Sequence, residues 1–302
     1  MDQNPIIINP DVTTDLASGK PVVALESTVI AHGLPRPQNI ETAQRLEQIV
    51  RAEGATPATI AVLDGILWVG MGRPKLDQIG TRQDIKKLSV RDLAIAVARK
   101  WNGATTVAST MWIAHRAGIK VFATGGIGGV HRGSPPDVSA DLPQLSQIPM
   151  IVVCSGAKIV LDLPATREWL ETNSITVVGY QCDEMPAFYS QSSSLPIDVR
   201  CDTPEEVAHL FATQRHLDVR SALLVTVPVP SDAEVEQSFL NKVLEGALGQ
   251  AEREKISGRD LTPFLLAQMS QRSDGATLRA NIALLENNAR VAAQIAGELS
   301  QT

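Results

Sequence analysis

The sequence has few aromatic residues, few cysteines and no long apolar run. Aromatic side chains make up 4% of its 302 residues, which argues against a base-stacking surface for single-stranded nucleic acid. The three cysteines form no C-x-x-C pair, which excludes a zinc–cysteine site and suits a reducing cytoplasm. No apolar stretch approaches the roughly 20 residues that span a bilayer, and the first residues have no signal-peptide pattern.

The chain also lacks the excess of basic residues that general nucleic-acid binders carry. Its formal net charge is -6 and its pI is near 5.4, whereas binding to nucleic acid needs a basic surface that displaces counterions. The remaining composition, 44% hydrophobic and 20% charged residues, is ordinary for a globular protein. We therefore expect a cytoplasmic protein that binds neither nucleic acid nor a membrane.

Short β-branched runs alternate with helical patterns along the chain. Strands are predicted at residues 22–25, 59–63, 66–69, 105–108, 120–123, 150–154, 175–178 and 222–227. Helices are predicted at residues 39–53, from 89 to about 101, 110–117, 233–253 and 276–299. This alternation predicts an α/β fold with a mixed, mostly parallel sheet covered by helices on both faces. Since no linker composition interrupts the pattern, we expect a single domain over residues 1–302.

Local signals mark three of these elements. Asp64-Gly65 is a strong hairpin signal between the strands at 59–63 and 66–69. Ser89 and Asp92 have the spacing of a capping box at the start of a helix. Asn39 is a plausible N-cap of the helix at 39–53.

Polar or glycine-rich segments follow four of the predicted strands. They are Glu26 after strand 22–25, Ser109 after strand 105–108, the glycine loop 124–133 after strand 120–123, and Lys158 after strand 150–154. Ligands of open α/β sheets bind beyond the carboxyl ends of the strands. If the four strands are parallel, all four segments therefore lie at one edge of the sheet.

Lys158 is the strongest candidate for a catalytic residue. It follows a buried strand and the tight exit Ser155-Gly156-Ala157, and partial desolvation there would free its lone pair to attack a carbonyl. The structural alternative is a lysine that extends into solvent. The segment also matches S-x-x-K, but the S-D-N and K-T-G companions are absent from the chain, which leaves a serine acyl-hydrolase as a distant alternative.

Carboxylates at two places suit different tasks. Glu26 lies between apolar and hydroxyl residues at a strand end, where burial would raise its pKa and suit a general acid. Asp137, Ser139 and Asp141 alternate along the chain, and oxygen ligands of this kind suit Mg²⁺ or Mn²⁺. The alternatives are a glutamate bound to loop amides, and an aspartate that caps a helix or lies in solvent.

Basic residues flank the predicted helix that begins near Ser89. Lys86, Lys87 and Arg91 could attract a phosphate there, although a solvated basic patch is the more common case. The glycine loop matches neither the dinucleotide-binding fingerprint nor the Walker A motif. His32 and His131 have no metal-binding spacing, and we consider them only as hydrogen-bond donors.

Together, these segments resemble the pseudouridine-5'-phosphate glycosidase family, also known through its indigoidine-synthase-A-like members. The matching stretches are residues 24–35, 87–93, 103–111, 124–142, 155–158, 186–189, 262–266 and 280–284. The resemblance extends from about residue 6 to residue 297. It implies a homotrimeric three-layer α/β/α sandwich.

The resemblance also implies an activity, which is the reversible cleavage of pseudouridine 5'-phosphate to uracil and ribose 5-phosphate. By this resemblance Lys158 is the nucleophile, which forms an imine with the ring-opened ribose, and Glu26 is the proton donor. Asp137 corresponds to a ligand of Mn²⁺, for which Mg²⁺ or another divalent ion could substitute. The positions that correspond to substrate-contacting residues are Lys87, Val107, Ser139, Ala140, Asp141 and Asn281.

Two other functions remain as alternatives. The first is a Schiff-base enzyme that acts on another sugar phosphate, such as an aldolase or lyase. The second is a non-catalytic sugar-phosphate-binding protein.

Overall fold

The computed structural model of the chain describes residues 5–133 and 137–301. The strands of the described residues are β1 (Ile6–Ile8), β2 (Val22–Leu25), β3 (Thr56–Leu63), β4 (Ile66–Val69), β5 (Lys86–Leu88), β6 (Gly103–Thr105), β7 (Val121–Ala123), β8 (Ile151–Cys154), β9 (Thr176–Tyr180), β10 (Val199–Cys201) and β11 (Leu223–Thr226). They form one mixed sheet in the order β1-β4-β3-β2-β7-β8-β11-β9-β10, and β6 joins β3 to β5.

Helices flank this sheet. They are α1 (Pro10–Ala17), α2 (Gln38–Ala52), α3 (Arg73–Thr81), α4 (Val90–Ala98), α5 (Val107–Arg116), α6 (Asp141–Leu145), α7 (Leu163–Thr172), α8 (Pro204–His216), α9 (Gln237–Arg253), α10 (Leu261–Arg272) and α11 (Ala276–Leu299). A π-helix at Val29–Gly33 and a 3₁₀ turn at Gly258–Asp260 complete the set. None of the helices in the described part of the chain has both the length and the apolar character needed to cross a bilayer.

The parallel centre of the sheet is covered by helices. Every residue of β2, β7, β8 and β11 is buried, as expected for strands with helices on both faces. Helix α11 packs on β2, β7 and β8 and against α2 and α8, whereas α5 packs on β2, β3 and β6. The predicted α/β fold, with its mixed and mostly parallel sheet flanked by helices, is therefore confirmed.

Strand β3 belongs to both the parallel and the antiparallel part of the sheet. Residues 56–59 pair in parallel with β2, and residues 60–63 pair antiparallel with β4. At Ala61 and Val62 the same half of β3 also pairs antiparallel with β6. The second half of β3 extends past the carboxyl end of β2. Strand β6 pairs antiparallel with that half, so the carboxyl end of β6 points toward the carboxyl end of β2.

The local sequence signals gave three correct elements. Asp64 and Gly65 have φ values of 51° and 78° and join β3 and β4 as an antiparallel hairpin. The capping box of Ser89 and Asp92 opens α4. The buried run at 150–154 is β8, at Ile151–Cys154.

Two local predictions were wrong. The strand predicted at 105–108 is displaced: β6 covers Gly103–Thr105. Residues 106–108 are not strand, because the Thr106 side chain accepts from the Ser109 amide and α5 begins at Val107. Asn39 is not an N-cap either, since Pro37 holds that position. Its side chain lies inside the protein, where it donates to the carbonyls of Ile30 at 2.9 Å and Gly80 at 3.1 Å.

Candidate active site

Three of the four predicted segments meet at one edge of the sheet. Strands β2, β7 and β8 are parallel neighbours, so Glu26, the glycine loop and Lys158 all leave the sheet at their carboxyl ends. Ser109 does not join them. It is buried in α5, and its hydroxyl donates to the Leu88 carbonyl at 2.6 Å.

Strand β6 reaches the same edge through a set of buried hydroxyl groups. The Thr105 amide donates to Ser27 Oγ at 2.9 Å, and the Thr105 hydroxyl donates to the Ile60 carbonyl at 2.7 Å. Thr28 Oγ1 donates to the Thr105 carbonyl at 2.7 Å. These bonds attach the segment that follows Glu26 to the start of α5.

The turn that carries Lys158 requires glycine. Gly156 has a φ of 80°, and a Cβ atom on it would lie 2.3 Å from the Pro186 carbonyl oxygen. After this turn the Lys158 amide donates to the Ile127 carbonyl at 3.1 Å. The Lys158 ammonium, Nζ, donates to the Gly126 carbonyl at 2.7 Å. The lysine is therefore fixed at both ends against the glycine loop.

Glu26 is a buried carboxyl beside this lysine. It is 8% exposed, and its Oε1 accepts a hydrogen bond from the Thr124 hydroxyl. Burial raises the pKa of Glu26 above its usual value, while the charge of Lys158 and the Thr124 hydrogen bond act in the opposite direction. The expected rise in pKa is therefore present, as suits a group that donates a proton.

Lys87 is the second amine of the site. It lies on β5, half-buried, and burial followed by the charge of Lys158 lowers its pKa. Asp141, Glu26 and Asp260 oppose this effect. The site thus combines two amines and two buried carboxylates.

The other basic residues of this region lie apart from it. Lys86 is exposed and its Nζ lies 4.7 Å from the centre of the Trp101 ring. Arg91 is exposed and its Nε lies 3.8 Å from Asp92. The predicted basic patch therefore contributes Lys87 alone to the cluster around Lys158.

Asp141 joins the glycine loop to helix α5. Its Oδ1 accepts from the Ala108 amide at 2.9 Å, and its Oδ2 accepts from the Gly128 amide at 2.8 Å. A carboxylate at the first turn of a helix is favoured by the helix dipole. Any contact of Asp141 with a ligand would use its remaining lone pairs.

The remaining candidates lie around this cluster. Val107 is 1% exposed, so a ligand could contact its main chain, at the first turn of α5, but not its side chain. Ser139 Oγ accepts from the Asp141 amide at 3.3 Å, and Ala140 is exposed at the N-cap of α6. Asn281 is buried in α11 and lies beside Gly125 of the glycine loop.

Asp137 is placed differently from Asp141. It is exposed, and its main-chain carbonyl accepts from the His131 amide at 2.8 Å. Within residues 5–133 and 137–301, no group of three or more His, Cys, Asp or Glu side chains is arranged to hold a metal ion. Each carboxylate oxygen of Asp141 accepts from an amide, whereas Asp137 is exposed, so the two carboxylates stand in different surroundings.

The sequence reasoning missed two residues that the structure places at the site. Thr124 directly follows β7 as the first residue of the glycine loop, and its hydroxyl donates to Glu26; its position just after a strand was the available signal. Asn288 lies in α11, and its amide binds the Thr124 carbonyl. It is 164 residues away in sequence, and no local pattern indicates this contact.

His32 is half-buried in the π-helix that follows Glu26. Burial lowers its pKa, and Lys87 acts in the same direction. Its buried Nε2 has no hydrogen-bond partner within the part of the chain that the structure describes. Short π-helical segments frequently occur at functional sites.

Comparison with known proteins gives matches over nearly the whole chain. The family model of indigoidine synthase A like protein matches residues 11–298. The pseudouridine-5'-phosphate glycosidase of Geobacillus kaustophilus is 47% identical over 297 residues, which cover 98% of this chain and 99% of that protein. The pseudouridine-5'-phosphate glycosidase of Herpetosiphon aurantiacus is 50% identical over 299 residues, which cover 98% and 99%.

Two solved structures have the same fold. An indigoidine synthase A-like protein from Thermotoga maritima aligns with a TM-score of 0.90 at 36% identity, over 99% of both chains. The prealnumycin C-glycosynthase AlnA, in complex with ribulose 5-phosphate, aligns with a TM-score of 0.91 at 36% identity, over 100% of this chain and 98% of that one. The chain therefore belongs to the indigoidine synthase A-like family, the family of the pseudouridine-5'-phosphate glycosidases.

Proposed function

We propose that this protein is an enzyme of pseudouridine catabolism that cleaves pseudouridine 5'-phosphate reversibly to uracil and ribose 5-phosphate. The observation that carries the proposal is the meeting of Lys158 with the buried carboxyl of Glu26 at one sheet edge. Relatives at 47% and 50% identity are pseudouridine-5'-phosphate glycosidases. The solved relative AlnA is a C-glycosynthase in complex with a pentose phosphate, which supports a site for a phosphorylated sugar.

The substrate explains why an amine is needed. Uracil is joined to the sugar through carbon, so it is a poor leaving group for the two-carboxylate chemistry of ordinary glycosidases. In the proposed first step the neutral Lys158 amine bonds to C1' of the ribose and then gives up one proton. The bond from C1' to the ring oxygen breaks, and that oxygen takes a proton. The nitrogen then holds the sugar in its open form.

The carbon–carbon bond breaks in the second step. The nitrogen lone pair forms a C=N bond as the bond from C1' to uracil breaks, and the bonding electrons leave with the uracil carbon, which takes a proton. Water then hydrolyses the imine to release ribose 5-phosphate and the free amine. The reverse sequence joins uracil to ribose 5-phosphate.

Glu26 is the proposed proton donor in this sequence. Burial raises its pKa, so the carboxyl keeps its proton to higher pH than an exposed glutamate. It lies close enough to Lys158 for the two charges to interact, which brings the acid and the amine to the same sugar carbon.

The substrate contacts are assigned to residues around this pair. Lys87 adds positive charge beside Lys158, which suits an anionic substrate. The main chain at Val107 and the segment Ser139-Ala140-Asp141 surround the phosphate-bearing sugar. Asn281 lies beside the glycine loop and contacts the base.

We propose that Asp137 provides one ligand to Mn²⁺ or another divalent ion. Asp137 is exposed, and among the described residues it belongs to no group of three or more metal-binding side chains. Such a carboxylate fits an ion that keeps most of its waters, as Mg²⁺ does and as oxygen-liganded Mn²⁺ can. When bound, the ion would supply positive charge that orients the substrate. Electron paramagnetic resonance should detect Mn²⁺ bound to the wild type, and Asp137→Ala should weaken that binding by about tenfold or more. Asp162→Ala, at the N-cap of α7, is the control that should bind Mn²⁺ normally.

Release of uracil from pseudouridine 5'-phosphate is the direct test of the activity. The wild type should release uracil, and Lys158→Ala should lose at least about a thousandfold of that rate, because the nucleophile is gone. Lys86→Ala is the matched control, since Lys86 lies over Trp101, outside the cluster around Lys158. Borohydride with ribose 5-phosphate should trap a covalent adduct on Lys158, which mass spectrometry would locate.

The same assays separate the alternatives. An aldolase or lyase would consume ribose 5-phosphate without uracil, whereas the proposed enzyme needs uracil for the reverse reaction. Binding of ribose 5-phosphate without any turnover would indicate a non-catalytic protein. Full activity in Lys158→Ala would contradict the imine mechanism. We also propose a cytoplasmic homotrimer, as the resemblance implies.

A further inference from the structure

Asn288 connects the two turns that hold the reacting groups. It is fully buried in α11. Its Nδ2 donates to the Thr124 carbonyl at 2.9 Å and approaches the Gly125 carbonyl at 3.4 Å. The same amide group bonds with the Ser155 hydroxyl, at 3.1 Å from Nδ2 and 3.3 Å from Oδ1. One side chain thus reaches the turns that leave β7 and β8.

Both turns carry groups of the proposed reaction. Thr124 donates its hydroxyl to Glu26, and the glycine loop that follows accepts the Lys158 ammonium at Gly126. Ser155 begins the turn that delivers Lys158. Asn288 therefore bonds to the neighbours of the acid and of the amine.

An amide side chain suits the partners of Asn288, because it offers both a donor and an acceptor. The β7–β8 ladder ends at Ala123 and Val153, so the Thr124 carbonyl lies just beyond it and accepts from Asn288. Alanine would leave this buried carbonyl without that donor, which is costly. Aspartate would instead direct a buried negative charge at carbonyl oxygens.

We propose that Asn288 is a positioning residue that ties the turns after β7 and β8 together and so fixes the spacing between Glu26 and Lys158. This inference rests on the proposed function, because the rate that Asn288 is expected to affect is that of the proposed reaction. Because misplacement of a reacting group by about 1 Å can cost on the order of a hundredfold in rate, the expected effect is on turnover rather than on substrate binding.

The pH dependence gives a second signature. The groups that act on Glu26 are Lys158, Lys87, Asp141 and the Thr124 hydroxyl, of which the hydroxyl and the two lysines lower its pKa and Asp141 raises it. If the Thr124 turn loosens, its hydrogen bond weakens and the pKa of Glu26 rises. Since Glu26 donates its proton, the alkaline limb of kcat should then move to higher pH.

The test compares Asn288→Ala and Ser155→Ala with the neighbouring control Asn287→Ala. Asn288→Ala should lower kcat by about 10- to 100-fold, with KM changed less than about threefold. The alkaline limb should move in the same direction as in Thr124→Val. Ser155→Ala should give a smaller change of the same kind. Asn287→Ala should leave kcat, KM and the pH profile unchanged.

An unchanged kcat, a change in KM alone, or a lower kcat without a shift of the limb would overturn the proposal. If Asn288→Ala does not fold, Ser155→Ala decides, and wild-type behaviour of that variant overturns it. The Glu26 carboxyl can also be titrated by carbon-13 NMR without substrate, with Glu26→Gln to assign the signal. A titration that does not move up in the variants contradicts the positioning role, whereas absence of uracil release by the wild type contradicts the proposed function.

Discussion

Glu26 holds a carboxyl where the solvent is largely excluded, and this burial is unfavourable to its ionised form. The cluster of Lys158, Lys87 and the Thr124 hydroxyl offsets only part of that effect, since burial is the largest influence and the pKa is raised. Active sites commonly hold groups that lower the stability of the fold. A stability measurement can therefore test the state of this carboxyl without any substrate.

Glu26→Gln should stabilise the folded protein at neutral pH. Because the pKa of Glu26 is raised above its ordinary value of 4.5, the folded state binds more protons than the unfolded state above that pH, and wild-type stability falls as pH rises through this window. The glutamine variant does not ionise and avoids the loss. Its advantage in urea unfolding should be present at neutral pH and disappear below the ordinary value.

Asp84→Asn is the control with the opposite sign. Hydrogen bonds from Arg82 and Asn102 lower the pKa of Asp84 below its ordinary value of 3.8. Its contribution to stability is present above that value and lost as pH falls, so Asp84→Asn should be less stable than the wild type at neutral pH. If Glu26→Gln were less stable than the wild type at neutral pH, the ionised carboxylate of Glu26 would stabilise the fold, and the expectation would be wrong.

At the scale of elements, the turns after the central strands matter more than the strands themselves. Gly156 combines a left-handed backbone with close contact to the Pro186 carbonyl. Asp141 satisfies two amides from different elements. For each arrangement we expect one substitution to lower the free energy of unfolding and a matched control substitution to change it little.

Gly156→Ala should destabilise the protein by more than about 2 kcal/mol. The left-handed conformation alone costs alanine roughly 1–2 kcal/mol, and the added methyl group would also lie 2.3 Å from the Pro186 carbonyl oxygen. Gly118→Ala is the control, since Gly118 has a φ of 88° with no atom within 4 Å of the added carbon. Thermal unfolding would measure both, and equal losses would contradict the role of the Pro186 contact.

Asp141→Asn should lower the free energy of unfolding by about 1–3 kcal/mol. Two amides each need an acceptor oxygen here, and asparagine has only one, so its NH₂ group would face the second amide. Asp162→Asn is the control. Asp162 accepts from a single amide at the N-cap of α7, a position where asparagine is as good as aspartate. Chemical denaturation would compare them, and a neutral Asp141→Asn would show that the loop does not depend on the second bond.

The sequence predicts elements well where their signal is local. The hairpin at Asp64-Gly65 and the capping box at Ser89 need only neighbours in the chain. Asn39 was assigned wrongly because its partners, the carbonyls of Ile30 and Gly80, lie in other elements.

The candidate site divides in the same way. Glu26 and Lys158 follow buried strands, so a parallel sheet brings them together. The bonds of Thr124 and Asn288 depend on how α11 lies over the sheet, which strand and helix patterns do not specify. The alternation of Asp137, Ser139 and Asp141 in the sequence also does not indicate that both Asp141 oxygens accept from main-chain amides.

At the scale of the whole molecule, the proposed property to test is the number of subunits in the assembly. The resemblance implies a trimer, and analytical ultracentrifugation should give a mass about three times the 32.4 kDa of the chain. Dilution over a hundredfold range should leave that mass unchanged if the interfaces are of the obligate kind. A single species at the chain mass would contradict the trimer.

Helix α11 has a consequence for how the protein is made. It covers β2, β7 and β8 and carries both Asn281 and Asn288, yet it follows all the strands along the chain. During synthesis the N-terminal parts emerge from the ribosome first, so the central strands wait with one face uncovered until α11 arrives. A chain cut short before α11 would lack Asn281 and Asn288 and would expose the apolar face of its own sheet.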